Sequence, residues 1–389
     1  MLEPLGQSQV LAYLNQLAEG RCIHLISFEK PRDWANITER ELLAQNIDAA
    51  GIVWHPLRYH KRPSALATAL DIVNGISLGL WLVLRYRLQI VHARSYVSAL
   101  MALVLKRLTD VKYIFDMRGF WADEKVDGGS WSRNGMLYRV TKGFERRFML
   151  AADHLVSLTH AGVREVKLFP YMAGHMPPFS VIPTCADLSR FSPVPKTNLY
   201  ESDAIFVLGY VGSVGTYYLF DEVIACFAQL LNIRPDARFL IVNRDQHDLI
   251  RNRLEAAGVP DTKVELVSAR HGEIPSYMAR MDAGIFFIKP VFSKQASAPT
   301  KLAELLGCGI PCLANAGVGD MAEVLEGEQV GVAMRSFDVD AMTTAIYKLL
   351  EMVAAPTTSA RCVSAAKQYF SLDEGVRQYS QIYDRLSSP

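Results

Sequence analysis

The stretch SAPTKLAELLGCGIPCLAN, Ser297 to Asn315, decides how the chain is read. Pro299 predicts a helix start, since its missing N–H costs nothing in the first turn. Leu302, Leu305 and Leu306 fall on one helical face and should pack on a sheet. Thr300 and Glu304, four apart, share another face with Lys301 beside them. Gly309 ends the helix, and the strand IPCLAN begins at once. Upstream, IFFIKP (285–290) ends a strand and the polar loop FSKQASA (292–298) leads into the helix. Such a loop lies at the carboxyl end of a strand, where open α/β sheets bind ligands. The free N–H groups of the first turn, with Lys294, Ser297, Thr300 and Lys301 around them, suit an anionic phosphate. Glu304, one turn deeper, offers acceptors to a ribose diol. Taken alone, the same stretch also fits a structural helix carrying a solvated Lys/Glu pair.

Outward from it, apolar strand-like runs alternate with helix-period segments. CIHLISF (22–28), LQIVHARS (88–95), VKYIFDMRG (111–119), DHLVSLT (153–159) and SVIPT (180–184) make a first series. After Phe191 the pattern restarts with IFVLGYVGS (205–213), ARFLIVN (237–243), KVELVS (263–268) and AGIFFIKP (283–290). This alternation predicts an α/β fold of parallel sheets with helices on both faces. At 389 residues the chain exceeds one core and suits two domains. SRFSPVPKTNLYESD (189–203) reads as the linker, which places the boundary near residues 190–203. FSLDEGVRQYSQIYDRL (370–386) has helical periodicity and aromatics that should dock it onto another element.

A net charge of +1 carries no nucleic-acid signature. Its distribution is uneven, with 23 Lys and Arg against 17 Asp and Glu in residues 1–190 and the reverse imbalance beyond. The basic runs KRL (106–108) and FERRF (144–148) suggest an anionic membrane surface, and HKR (60–62) reads as a solvated or membrane-facing run. Cys22, Cys185, Cys226, Cys308, Cys312 and Cys362 have no zinc-type spacing and fit a reduced, cytoplasmic chain. No signal peptide is expected ahead of the first helix. The run Ile76–Leu84 is too short to span a bilayer and reads as a buried or interfacial helix.

Four motifs, in order, carry a resemblance. VIPTCADLSRFSP (181–193) resembles the V-I-P-N-G-V-D-x-x-x-F-x-P segment that ends the first domain of family-4-type glycosyltransferases of the GT-B fold. Pro299–Ala314 resembles their donor-site helix and following strand, L-L-E-A-M-A-C-G-x-P-V-V-A. GVGDMAEVLE (317–326) resembles the next loop, and residues 370–386 the terminal helix. The resemblance implies two Rossmann-like domains facing a cleft: an acceptor domain over 1–195, a donor domain over 196–366, and a terminal helix, 367–389, crossing back to the first. It also implies retaining transfer from a nucleoside-diphosphate sugar to an acceptor hydroxyl without a metal or other cofactor. The acceptor would be a glycan or lipid-linked glycan, in cell-surface polysaccharide assembly at the inner face of the membrane.

The chain departs from the family pattern. Glu304 matches the second carboxylate of the donor site, whereas Ala296 stands at the first. The segment whose Arg and Lys hold the diphosphate reads GSVGTYY (212–218): Gly212 is kept, Ser213 replaces the Arg and Tyr217 the Lys. Lys294, Lys301 and Arg244 are the candidate replacements, with Arg118 next. These departures leave two alternatives open, a GT-B epimerase or phosphorylase and a non-catalytic binding subunit.

In the first half, IFDMRGFWADE (114–124) should deliver Asp116 and Arg118 from a strand end, followed by Trp121, Asp123 and Glu124 in a loop. Charged groups and a tryptophan at such a place are costly to bury without a ligand. Asp116, Arg118 and Asp123 are the catalytic candidates; Arg94, Trp121, His160 and Gln7, the last in an expected strand–helix loop, would bind the acceptor. The helix in QSQVLAYLNQL (7–17) has no strand feeding it, so the first sheet is expected to lack a central strand and to show a gap.

Overall fold

The computed structural model describes residues 1–60, 64–194 and 205–388. Most of the expected linker (195–203), together with Lys61 and Arg62 of the basic run, lies outside the described residues. The chain divides into two compact units: Met1–Pro183 with Leu372–Pro389, and Thr184–Ser371.

The second unit is a doubly wound domain. Its six parallel strands are β7 (Val207–Val211), β8 (Arg238–Val242), β9 (Val264–Val267), β10 (Ala283–Ile285), β11 (Cys312–Asn315) and β12 (Gly331–Met334). They run in the order β12-β11-β10-β7-β8-β9. The order reverses between β7 and β10, the switch point at which such sheets bind ligands. Strands β7 and β11 are buried throughout because helices cover both faces. The helix Thr300–Gly307 follows β10 and sinks Leu302, Leu305 and Leu306 into this core. Pro299 sits just ahead of that helix in extended backbone rather than within its first turn. The Gly309 and Ile310 amides donate to Leu306 O and Leu305 O, closing the helix end.

The first unit holds two separate sheets. β1 (Ile23–Glu29) pairs in parallel with β2 (Ile52–Arg58) over seven residues. β3 (Ile90–Arg94), β4 (Lys112–Asp116), β5 (His154–Ser157) and β6 (Phe179–Val181) form the other, in that order. β2 lies at a sheet edge, which is why it tolerates Pro56; that proline masks the strand in the sequence. The edges of β1 and β3 face each other across an open slot. Ile23, Leu25, Ile90 and Val91 beside it are only half-buried, although β4 and β5 are buried almost throughout.

Three local expectations change. Trp121–Asp127 is a helix, not a loop, and Gln7 lies in a helical stretch running from Pro4 to Leu17 rather than in a strand–helix turn. The apolar run at 76–84 belongs to a 23-residue helix, Ser64–Tyr86. Its part Leu66–Tyr86 is long and apolar enough to cross a membrane by length and composition. The helix instead packs on β1, β2 and the helix Tyr96–Leu108, leaving Leu66, Leu70, Val73, Trp81 and Leu84 exposed at intervals that form one stripe.

Candidate functional site

In the second unit the switch point gathers an unusual set of charges. Lys301 and Glu304 are both only 8% exposed. The Lys301 ammonium has no hydrogen-bond partner and lies over the rings of Tyr218 (4.0 Å), Tyr210 (4.9 Å) and Phe286 (5.4 Å). Burial pulls its pKa down to about 7, against which Glu304 pushes upward. Burial likewise pushes the Glu304 carboxyl up to about 7, with Lys301 and Arg190 opposing. A cation walled by three rings and a carboxyl held near neutrality are poised for a polar ligand that would restore both charges.

The loop after β7 forms the other side. Gly212 has φ +111°, a conformation that L side chains rarely adopt, and a Cβ added there would stand 3.2 Å from Lys301 Nζ. Asn243 fixes this loop by donating to Gly212 O (2.9 Å), and Val214 N donates to Gln246 Oε1 (3.0 Å). Lys294 is buried and sits 3.8 Å above the Tyr217 ring. The Gly319 amide donates to Lys294 O, and Gln295 Nε2 donates to Gly317 O, which ties the 317–320 loop to the same turn. Asn315, at the end of β11, accepts from Ile288 N and donates to Ile288 O, both at 2.8 Å. This side chain continues the ladder beyond β10. Ser297 and Thr300 are half-buried beside the helix start, whereas Ser213 and Arg244 are exposed. The structure therefore brings Gly212, Lys301 and Glu304 together with Tyr210 and Tyr218. The aromatic walls were missed in the sequence, where paired tyrosines after a glycine-rich turn were the only signal.

The first unit has its own polar cluster at the carboxyl ends of β3 and β4. Asp116 is fully buried; its Oδ2 meets Arg94 Nη1 at 3.2 Å and accepts from Tyr379 OH at 3.2 Å, while Oδ1 has no partner. His92 Nδ1 pairs with Tyr383 OH at 2.8 Å, its Nε2 makes no hydrogen bond and lies 3.9 Å from Asp116 Oδ2, and burial lowers its pKa to about 4. Arg118 Nη1 is buried without a partner, and burial lowers its pKa, with Arg94 acting in the same sense. Ser95 and Arg118 both have positive φ, at 75° and 59°, backbone strain of a kind that collects at functional sites. Asp123 does not join this cluster. Both its oxygens are engaged elsewhere, by Tyr138 OH (2.8 Å) and Lys142 Nζ (2.9 Å), beside buried Glu145. Trp121 is half-buried against Trp131 and Tyr96, and His160 is exposed at the start of the helix His160–Leu168. Gln7 is exposed and donates a long bond to Leu2 O.

Sequence and structure comparisons agree on what kind of protein this is. The family described as "Glycosyl transferase 4-like domain" matches residues 18–175, and that described as "Glycosyl transferases group 1" matches residues 205–352. No curated protein matches the chain. Among solved structures, sucrose-phosphate synthase from Thermosynechococcus elongatus superposes with a TM-score of 0.71 at 16% identity, covering 94% of this chain and 99% of that one. Anabaena HepE in complex with UDP and glucose gives 0.70 at 14% identity, covering 99% and 97%. A glycosyltransferase from Rickettsia africae gives 0.69 at 15%, covering 98% and 96%. At these identities the structures speak for the fold alone, but a glycosyltransferase domain is matched in each half of the sequence. The chain belongs to the family-4-type glycosyltransferases of the GT-B fold.

Proposed function

We propose that this glycosyltransferase takes its sugar from a nucleoside diphosphate and passes it to an acceptor hydroxyl with retention of configuration. The observation that carries the reading is the Lys301–Glu304 pair, buried about one turn apart at the helix start, where the cost of burial outweighs the attraction between the two charges. In this reading Glu304 accepts from the ribose hydroxyls. Lys301, Lys294 and the free amides of the 300–307 helix face the diphosphate and stabilise its charge as it leaves. The mechanism asks for no metal. The leaving phosphate oxygen takes the acceptor proton, so no separate base is needed. HepE, a structural neighbour, binds UDP and UDP-glucose, which agrees with such a donor.

Asp116 and Arg118, with Arg94, are the groups assigned to the acceptor, a glycan or lipid-linked glycan at the inner face of a membrane during cell-surface polysaccharide assembly. The surface that supports this membrane reading is the apolar stripe of the 64–86 helix flanked by Arg85 and Arg87. The expected runs contribute less: Lys106 is held by Ala151 O and Asp153, and Arg146 and Arg147 lie over Tyr171 and Phe144. The test is a thermal-shift panel of UDP-, GDP- and ADP-sugars followed by transfer assays with the stabilising donor. One donor should raise Tm with concentration and yield a transferred sugar. A flat panel with no sugar released overturns the donor assignment. Turnover that alters the sugar without an acceptor makes the enzyme an epimerase instead.

A further inference from the structure

The carboxyl ends of β3 and β4 bring a helix start, two guanidinium groups and a cavity wall to one corner of the first unit. Ser95 leaves β3 with φ 75°, its amide donating to Asp116 O at 2.8 Å, and Tyr96 opens a 13-residue helix. The Ser95 side chain makes no capping bond, so the first-turn amides of that helix keep their partial positive charge for another acceptor. The Ser98 hydroxyl donates to Ser95 O at 2.9 Å and to Arg94 O, which braces the strained turn. Asp116 meets Arg94 Nη1 at 3.2 Å and answers that charge. Arg118, two residues on, has no such match: among the described residues its buried Nη1 has no hydrogen-bond partner. Burial, and after it the like charge of Arg94, lowers the pKa of Arg118 against the opposing influence of Asp116. Two guanidinium groups sharing one carboxylate leave an excess positive charge, which is costly to bury unless a ligand offsets it. Arg94, Ser95, Ser98 and Arg118 line one cavity together with Tyr13 and Tyr379. The hydroxyls of those tyrosines donate elsewhere, Tyr379 to Asp116 Oδ2 and Tyr13 to Pro183 O.

We propose that this corner seats an oxyanion carried by the acceptor, a phosphate ester or a carboxylate, with Arg118 and the amides that open the Tyr96–Leu108 helix as its donors. The acceptor is then an acidic saccharide, not a neutral one. The inference deepens the assignment of Arg94 and Arg118 to the acceptor and rests on it. A planar guanidinium matches the paired oxygens of either group, and helix amides favour negative charge within the first turn. A neutral hydroxyl would occupy the same donors but leave the Arg118 charge unmatched. Asp116 does not oppose the anion, because Arg94 neutralises it at 3.2 Å.

The experiment is amide exchange on the full chain with inorganic phosphate, glucuronate or glucose added at constant ionic strength and no donor present. Phosphate or glucuronate should slow exchange over residues 94–99 and 116–120 by about threefold or more once its concentration exceeds Kd a few times. Glucose should not. Protection by phosphate alone identifies a phosphate ester as the source of the oxyanion, and protection by glucuronate alone a sugar acid. Arg118→Gln should abolish the effect, and Arg118→Lys should keep part of it, since the charge stays while the planar fork is lost. No protection by either oxyanion, equal protection by glucose, or protection that survives Arg118→Gln overturns the proposal. Should Arg118→Gln fail to fold, Ser95→Asp replaces it: a carboxylate there caps the helix and repels the oxyanion. Protection that persists in Ser95→Asp overturns the proposal equally. Once a donor is identified, an acidic acceptor should exceed its neutral counterpart in kcat/KM by about tenfold or more, a preference that Arg118→Gln removes. Equal kcat/KM for the two overturns the acidic acceptor. The exchange arms need neither donor nor turnover, so the two readings fail separately. A donor that raises Tm while no oxyanion protects the corner means a neutral acceptor and sinks this inference alone.

Discussion

A side chain on Gly212 would stand 3.2 Å from the ammonium of Lys301. The turn after β7 and the helix after β10 therefore approach as closely as backbone and lysine permit, and Gly212 holds φ +111° while doing so. Gly212→Ala should destabilise the second unit by about 1–3 kcal/mol through strain alone. It should also weaken donor binding beyond what the change in stability explains. Calorimetric titration on the folded variant checks this; unchanged donor affinity would separate the turn from the site.

Glu304 gives a sharper test. Glu304→Gln keeps the shape but removes the charged acceptor, and donor binding should weaken by about 2–3 kcal/mol. Stability should hold or rise, because the variant no longer buries an ionisable group of 8% exposure. A Tm loss with normal affinity would mark Glu304 as structural.

The same pair predicts a pH profile. Lys301 titrates near 7 in the folded chain against 10.5 ordinarily, so above pH 7 the empty site loses its cation and an incoming diphosphate must recharge it. Glu304, raised to about 7 from 4.5, is increasingly protonated below that pH. Sugar-nucleotide affinity should therefore peak near pH 7 and weaken on each side, approaching tenfold per pH unit. Lys301→Met should flatten the alkaline limb and Glu304→Gln the acid limb. The stability signs follow separately. Between about 7 and 10.5 the unfolded chain binds more protons through Lys301, so stability rises with pH. Between 4.5 and about 7 the folded chain binds more through Glu304, so stability falls as pH rises. Affinity that is constant from pH 6 to 9 would contradict the assignment of both residues.

Membrane association should follow the 64–86 helix. Trp81 is 52% and Leu84 65% exposed, and replacing each with Ser should weaken vesicle binding by roughly tenfold or more. Salt should weaken it further if Arg85 and Arg87 meet anionic headgroups, since screening acts within about 10 Å at 0.1 M salt. Co-sedimentation with anionic and neutral vesicles reads both effects. Equal, salt-insensitive recovery of wild type and variants would remove this surface from consideration.

The strands with continuous apolar runs, such as β7 and β11, were legible in the sequence because both faces are buried and the apolar run of β11 is broken only at its last residue, Asn315. β2 was not, since Pro56 and His55 disguise an edge strand as a loop. The closeness of Lys301 and Glu304 was readable from helical spacing, but that spacing fitted a solvated pair equally well, and their burial was not legible. The rings around Lys301 were not, because Tyr210, Tyr218 and Phe286 come from three separated segments that only the sheet order brings together. Asp123 shows the opposite failure. Its sequence neighbours Asp116 and Arg118 made it look like a site residue, yet the helix that begins at Trp121 turns it toward Tyr138 and Lys142.

The two-sheet construction of the first unit also divides its cooperativity. β1, β2 and the helix Ile37–Ala49 share a small core of Leu11, Leu43, Ile47 and Ile52, while among the described residues no backbone ladder joins them to β3–β6. Such a module can open as a foldon of its own while the four-stranded sheet stays closed. Native-state exchange should resolve two isotherms within this unit, the shallower one belonging to residues 23–58. A single transition for both groups would mean that the helices alone bind the two sheets into one unfolding event.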